Sequence, residues 1–123
     1  MTGYAVIKTP PFDLLVAACA REHPGLPEDL KWLIGRLEVN PERMGNRVPE
    51  LAKLKLPIFK TRCKDSCHSL GASGGWRIYY AVDKTAQKVF LLFVHHKKDY
   101  ELPKLGFLLQ KLERALPDKL GSD

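Results

Sequence analysis

Cationic side chains alternate along one short stretch of the chain that otherwise has the composition of a β-strand. Lys60, Arg62 and Lys64 are each two residues apart, and side chains two apart lie on the same face of a strand. The next predicted strand adds Arg77 and Tyr79 at the same spacing. Arginine can hold a phosphate through two parallel hydrogen bonds, so such a face is suited to binding a phosphate backbone. The alternative is an exposed face charged only for solubility, as many antiparallel sheets have.

A second group of reactive side chains ends the last predicted strand, in the run His95-His-Lys-Lys-Asp-Tyr100. Imidazole is the usual general acid or base near neutral pH, and phenol and amine groups serve when their surroundings shift their pKa values. Because His95 and His96 are neighbours on a strand, only one of them can share a face with Arg77. The sequence leaves the acid and the base open among His95, His96, Lys97 and Tyr100.

The cysteines and histidines do not form a recognised metal-binding pattern. Cys63, Cys67 and His68 give a Cys-x3-Cys-His run with no second cysteine pair, which is not a usual zinc spacing. The chain has three cysteines in separate segments, which fits a reducing compartment better than a disulfide framework. We therefore expect no metal and no cofactor.

Seven predicted elements position these groups. Apolar periodicity and turn residues predict strands over 4–8, 58–64, 76–83 and 88–96, and helices over 12–22, about 27–39 and about 105–116. The stretch 42–57 has no clear period, so it is predicted to be a loop with one helical turn at most. The order β-α-α-β-β-β-α predicts a single α+β domain over residues 1–123, with a small antiparallel sheet and its helices packed on one face. The first strand is expected to join the other three.

The composition favours a basic globular protein. Twenty Lys and Arg against fourteen Asp and Glu give a net charge of +6, and such a surplus favours nucleic acid or an acidic protein as partner. A chain of 123 residues that is 45% hydrophobic can form one sizeable core. The longest apolar run, 89–94, is too short to cross a bilayer, and the N-terminus lacks the pattern of a secretory signal. We expect a soluble, cytoplasmic protein that does not bind membranes.

In combination, these segments resemble the RelE/ParE toxin superfamily, in particular its RelE-like and HigB-like members. The resemblance is carried by Phe59-Lys-Thr-Arg-Cys-Lys-Asp-Ser66, Gly71-Ala-Ser-Gly-Gly-Trp-Arg-Ile-Tyr-Tyr80, the apolar run 89–94, and His96-Lys-Lys-Asp-Tyr100, in that order. The preceding strand and two helices also agree with the family. Two positions depart from its pattern. Ala72 replaces the usual cation before Ser-Gly-Gly, and Tyr100 comes one residue earlier than in many relatives.

The resemblance implies the toxin of a type II toxin–antitoxin system. The implied activity is that of a metal-independent, ribosome-dependent mRNA endoribonuclease (an mRNA interferase) that inhibits translation, with mRNA, the ribosome and a cognate antitoxin protein as partners. The implied catalytic residues are Lys60, Arg62, Arg77, His96 and Tyr100. The implied RNA or phosphate contacts are Lys64, Tyr79, Lys97 and Lys98. Internal attack by a 2′-hydroxyl needs a base, an acid for the leaving 5′-oxygen, and cations for the developing negative charge.

Two other functions are compatible with the same resemblance. One is a non-cleaving inhibitor of gyrase, as in the ParE branch. The other is a degenerate relative that only binds an antitoxin or nucleic acid. The basic strand and the terminal His, Lys and Tyr residues favour RNA cleavage. The basic face and the leucine-rich face of the last helix are the expected docking surfaces for an antitoxin.

Overall fold

The computed structural model describes residues 3–66, 75–98 and 104–120. Its strands are β1 (Ala5–Lys8), β2 (Asn46–Arg47), β3 (Ile58–Cys63), β4 (Trp76–Asp83) and β5 (Lys88–His96). Its helices are α1 (Pro10–Ala20), α2 (Leu26–Val39), α3 (Pro41–Met44), α4 (Leu105–Ala115) and α5 (Pro117–Leu120), and a 3₁₀ turn covers Pro49–Leu51. Among these helices, none combines the length and the apolar character needed to cross a bilayer.

The strands form one sheet in the order β1-β5-β4-β3-β2. β3, β4 and β5 are antiparallel neighbours, as their short connections require. β1 joins the outer edge of β5 in parallel orientation. The predicted α+β class and the order of the seven elements are confirmed. The sheet is mixed rather than purely antiparallel because of β1, and β2 is a short strand within the stretch predicted to be a loop.

Helices cover both faces of this sheet, which differs from the prediction of one covered face. On the first face α1 and α2 bury an apolar cluster that contains Phe12, Leu33 and Trp76. On the second face α4 and α5 bury Leu108 and Leu112 with residues of β4 and β5. The reason lies in the leucine-rich face of the last helix, since burial of one leucine side chain contributes about 1.5–3 kcal/mol. That helix therefore docks on the sheet of its own chain.

The junction between β1 and α1 is tied to the neighbouring strand by Thr9. Thr9 precedes α1 and Pro10 occupies the first turn, where a missing amide donor costs nothing. The Thr9 side chain makes no helix-capping bond. Its hydroxyl instead donates to the Leu91 carbonyl oxygen of β5 at 2.8 Å. The sequence predicts this helix over 12–22, and in the structure it begins two residues earlier, at Pro10.

Polar contacts to α2 hold the end of β3 in place. The Asp29 carboxylate accepts hydrogen bonds from the backbone N–H and the hydroxyl of Ser66, both at 3.0 Å. The Cys63 thiol donates to the Asp29 carbonyl oxygen at 3.6 Å. Gly75 approaches the same stretch so closely that a Cβ atom there would overlap the Cys63 carbonyl oxygen and lie 2.8 Å from the Asp65 nitrogen. A side chain at position 75 would therefore push β3 and β4 apart.

We predict that Gly75→Ala lowers the free energy of unfolding by about 2 kcal/mol or more, because the methyl group meets backbone atoms that cannot move away cheaply. The matched control is Gly35→Ala in the middle of α2, where nothing lies within 4 Å of a new Cβ atom. Replacing a mid-helix glycine by alanine raises stability by about 0.5–1 kcal/mol. Urea denaturation monitored by circular dichroism measures both changes. Equal effects of the two substitutions would contradict the close approach at Gly75.

Candidate nucleic-acid interface

A groove runs along the β2–β3 edge of the sheet, from α2 on one face to α4 on the other. Its volume is about 1060 Å³, which is at or above the upper end of the range of roughly 300–1,000 Å³ for pockets that hold small ligands. Trp32 of α2 and Leu105 and Leu108 of α4 line its two sides. The strand residues lie between them. A groove of this size can hold part of a polymer chain.

Positive charge dominates the groove. Its lining includes four cationic side chains and one carboxylate among the described residues: Arg47, Lys60, Arg62, Lys64 and Glu50. The three cations of the β3 segment are exposed or half-buried, whereas Phe59, Thr61 and Cys63 between them are buried. This alternation confirms that the predicted cations share one face of the strand. Several solvated cations in one concave surface raise the local concentration of a polyanion.

Close packing of β2 on β3 forms one wall of the groove. The Thr61 hydroxyl donates to the Met44 carbonyl oxygen at 2.9 Å, and the Tyr80 hydroxyl donates to the Pro41 carbonyl oxygen at 2.6 Å. A Cβ atom at Gly45 would lie 2.6 Å from the Lys60 carbonyl oxygen. The chain can therefore pass this close to β3 only because residue 45 is glycine.

Tyr79 lies among the cations as a largely buried phenol that still lines the groove. It is the antiparallel partner of Lys60 across β3 and β4. Burial raises the pKa of Tyr79 from 10.0 to about 12, with an opposing effect of the nearby Arg77 guanidinium. The phenol is therefore protonated at neutral pH, and it can donate a hydrogen bond but cannot act as a base.

Arg77 and His95 lie on the same face as these residues but below the surface. In the pairing register Arg77 faces Arg62 on one side and His95 on the other. Arg77 is only 8% exposed, and its guanidinium donates to the Trp76 carbonyl oxygen at 3.2 Å. His95 is 4% exposed, and its ring lies 5.9 Å from the Tyr79 ring. These two residues support the groove from beneath, since neither is part of its lining.

The structure places His96 on the opposite face of the sheet. Its register partner is Trp76, whose ring lies edge-on to the His96 ring at 4.8 Å. This contradicts the predicted grouping of His96 with Lys60, Arg62 and Arg77, because adjacent residues of a strand point to opposite faces. It also decides which of the two histidines shares a face with Arg77. That histidine is His95.

His96 instead belongs to a buried cluster with His23 and Asp65. The Asp65 Oδ2 atom lies 3.0 Å from His96 Nε2 and 3.2 Å from His23 Nδ1. The two imidazole rings stack at 5.1 Å, and Trp76 packs edge-on to both. All three side chains are at least nine-tenths buried. One buried carboxylate oxygen thus accepts a hydrogen bond from His96 and lies within ion-pair distance of His23.

The protonation of His96 follows from a further contact. The backbone N–H of Lys98 donates to His96 Nδ1 at 3.2 Å, so Nδ1 carries no proton and Nε2 carries the one that points at Asp65. The three ligand atoms lie within 4.8 Å of one another, a spacing that a metal ion could bridge. A metal ion on Nε2 would require the ring proton to move to Nδ1, where it would face the Lys98 N–H, another donor. A histidine that binds a metal ordinarily donates a hydrogen bond from its other nitrogen to an acceptor. The arrangement fits a hydrogen-bonded cluster better than a metal site.

The remaining predicted site residues follow β5. Lys97 is half-buried, and its backbone N–H donates to the Gly75 carbonyl oxygen at 2.9 Å. Lys98 is exposed. Neither side chain is part of the groove lining. The prediction for Tyr100 falls outside the described residues, as do Cys67 and His68 of the rejected zinc pattern.

Sequence reasoning missed several residues of the groove and of the buried cluster. Arg47 and Glu50 lie in a stretch without periodicity, so the sequence offered no signal for them. Trp32 lies outside the apolar repeat of α2, and this position was the available signal for an exposed aromatic ring. His23 and Asp65 are 42 residues apart in the chain, so their contact could not be predicted without the three-dimensional structure.

Comparisons of the chain with family models, with curated proteins and with solved structures each give no match.

We predict that the free energy of unfolding falls by a few kcal/mol as the pH rises from about 9 to about 12. Burial raises the pKa of the Cys63 thiol from 9.0 to about 12, and that of Tyr79 from 10.0 to about 12. Such a group ionises at a lower pH in the unfolded chain than in the folded one. Its stabilising effect is therefore complete below the pKa of the unfolded state, and it is lost as the pH rises to the pKa of the folded state. Urea denaturation at several pH values measures this loss. In Cys63→Ala the part of this loss of stability that begins near pH 9 should be absent. If the free energy of unfolding of this variant depends on pH as that of the parent chain does, a buried, protonated thiol is contradicted.

We also predict that Asp65→Ala lowers the free energy of unfolding by about 1–3 kcal/mol, because the buried His96 N–H group loses its acceptor. Glu38→Gln is the control, since it removes an exposed carboxylate and should change stability by less than about 0.5 kcal/mol. Thermal and urea denaturation measure both. Similar stabilities of the Asp65 variant and the parent chain would show that the cluster is not formed in solution.

Proposed function

We propose that the protein binds RNA in the β2–β3 groove and cleaves it without a metal ion, as the cytoplasmic toxin of a type II toxin–antitoxin pair. The observation that carries this proposal is the alignment of Lys60 and Arg62 on one accessible face of β3, with Lys64 directly after the strand, inside the groove. The sequence resemblance to RelE-like toxins supports the same reading at the same residues. The substrate of such a toxin is mRNA, with the ribosome as the platform for cleavage.

Each groove residue has a part in this proposal. Arg62 is exposed and can hold two oxygens of the scissile phosphate. Lys60 stands beside Tyr79 across the strand pair, where its ammonium group can donate a proton to the leaving 5′-oxygen. Tyr79 stays protonated and can hydrogen-bond a phosphate oxygen. Arg77 adds positive charge from beneath, which stabilises the phosphorane without direct contact.

The acceptor of the 2′-hydroxyl proton is the open part of the mechanism. The sequence leaves this acceptor open among His95, His96, Lys97 and Tyr100. His96 is unsuited to this role, because it lies on the opposite face with its Nε2 proton held by Asp65. His95 lies on the right face but is buried under the groove. A proton acceptor from the segment after β5 would complete the site.

A second candidate is binding without cleavage, and one observation favours it. Neither Arg77 nor His95 reaches the groove surface, and the described lining residues include no imidazole. On this reading the groove holds RNA, or the acidic segment of an antitoxin, through charge alone. On the leucine-rich face of α4, Leu108 and Leu112 are buried against the sheet, whereas Leu105 is exposed and lines the groove. The groove is thus the proposed antitoxin surface as well, and the antitoxin would block it.

We predict that induced expression in a bacterial host arrests growth and produces new mRNA ends that carry 2′,3′-cyclic phosphates, the product of internal attack. The double variant Lys60→Ala/Arg62→Ala should lose at least about 100-fold of this cleavage, since it removes two groups that act on the transition state. The control Lys53→Ala/Lys88→Ala removes the same charge from exposed positions outside the groove. It should cleave within about threefold of the parent chain.

Binding distinguishes the two candidates. A 2′-O-methyl RNA has no free 2′-hydroxyl and cannot be cleaved by internal attack. Its affinity therefore measures binding to the groove alone. The slope of log affinity against log salt should fall in magnitude by about 1.4 in the Lys60/Arg62 double variant, at roughly 0.7 per phosphate contact on a single strand, and should be unchanged in the control. Binding with this salt dependence but without new mRNA ends would replace cleavage by the binding-only function. If the double substitution leaves the affinity unchanged, both candidate functions are contradicted.

A further inference from the structure

We infer that Trp32 is a base-stacking platform at the edge of the groove, and that the ligand of the groove is consequently a single strand with at least one unpaired base. This inference rests on the proposed RNA-binding function and names the form of RNA that the groove accepts. It adds a contact with a nucleobase to contacts that are otherwise all with phosphate. No reaction step depends on it.

Trp32 is exposed where an aromatic side chain is normally buried. Its side chain is 49% exposed, although Leu30 and Leu33 on the same helix are almost fully buried. The ring lies outside the apolar face of α2, so the packing of α2 on the sheet does not require it. It is also part of the groove lining. An indole half open to water in a cationic groove has a surface free to contact a ligand.

The orientation of the indole is held by its neighbours on α2. The Arg36 guanidinium lies over the ring at 5.1 Å from its centroid, one helical turn further along. A cation over an aromatic face contributes roughly 0.5–1 kcal/mol at an exposed site. The helix itself is fixed by its buried leucines and by the Asp29–Ser66 hydrogen bonds. Trp32 is therefore a pre-oriented ring, which loses little conformational freedom when a base stacks on it.

The combination of ring and charge favours a single-stranded nucleic acid over other ligands. Proteins that bind single strands combine a cationic groove for the backbone with aromatic rings on which bases stack. Here Lys60, Arg62 and Lys64 supply the cations on β3 and Trp32 lies on the adjoining helix. In a duplex the base faces are stacked on each other, so a duplex can use the cations but not the ring. An acidic peptide is the competing occupant, because tryptophan and arginine are also frequent at protein interfaces.

Intrinsic fluorescence gives a direct test, because the chain has two tryptophans in opposite environments. Trp32 is half exposed and Trp76 is 0% exposed, so a stacked base should quench the former only. The probes are a 2′-O-methyl uridine decamer, the same backbone without bases, a 2′-O-methyl hairpin duplex, and a poly-glutamate peptide. We expect quenching and tight binding with the decamer, and at least about tenfold weaker binding with the abasic backbone and the duplex.

Substitutions on the exposed side of α2 make the test specific. Trp32→Ala should weaken decamer binding by about tenfold or more, in line with the loss of one base–aromatic stack. Trp32→Phe keeps a ring and should bind within about threefold of the parent chain while losing the quenching. Val39→Ala is the matched control, since it removes another exposed apolar side chain, 78% exposed, from the same helix outside the groove. It should change neither signal.

The outcomes separate this inference from the proposed function. If the decamer binds through Lys60 and Arg62 but Trp32→Ala binds as tightly as the parent chain, the groove is an RNA site and the stacking platform is overturned. Equal affinity of the parent chain for the decamer and its abasic backbone overturns it without any variant. If poly-glutamate quenches Trp32 and the decamer does not, the groove binds an acidic protein segment instead. If no RNA binds at all, the proposed function falls together with the inference.

Discussion

The pairing register of β3, β4 and β5 is the constraint on which the rest of the structure depends. In one row of the sheet Arg62 faces Arg77, which faces His95, and in the next row Cys63 faces Trp76, which faces His96. The first row points to the face of the groove and the second to the face under α1 and α2. A shift by one residue would exchange the two rows. It would bury the cations and expose the tryptophan.

Both faces bury an apolar cluster, and along β3 they differ in their access to water. The cations of β3 keep their hydration at the groove, so their mutual repulsion is screened. The other face is dry, and a charge there is costly unless it is paired or hydrogen-bonded. Asp65 meets that requirement by accepting a hydrogen bond from His96, and it lies 3.2 Å from His23 Nδ1. The polar cluster therefore joins the end of α1, the end of β3 and the end of β5, three segments distant in the chain.

Much of the fold could be predicted because its signals are local. The leucines of α2 recur at helical spacing, and the cations of β3 at strand spacing, and each set occupies the face its period indicates. The two-residue strand β2 could not be predicted, because its existence depends on pairing with Lys60 and Phe59 rather than on its own residues. The parallel pairing of β1 with β5 is likewise a property of the assembled sheet.

The candidate site was predicted in part, for a related reason. Strand parity identified Lys60, Arg62 and Tyr79 correctly as neighbours on one face. Parity alone could not choose between His95 and His96, because the choice depends on how β5 aligns with β4, and the ladder between them contains a register shift at Tyr79 and Tyr80. His23 gave no functional signal at all, since a histidine beside a proline at a helix end is ordinary loop chemistry.

The shortness of β2 has a consequence for how copies of this chain behave towards one another. β2 pairs with Phe59 and Lys60, and the Val48 N–H donates to the Ile58 carbonyl oxygen, so within the described part of the chain no strand pairs with the outer edge of Thr61–Cys63. An uncovered strand is a template for edge-to-edge association, and lysine on such an edge is a common safeguard against it. Arg62 and Lys64, at this end of β3, would oppose the pairing of two identical edges by charge repulsion. A bound polyanion would neutralise that repulsion while it occupies the same space, so the edge is protected in both states, by charge when empty and by bulk when filled.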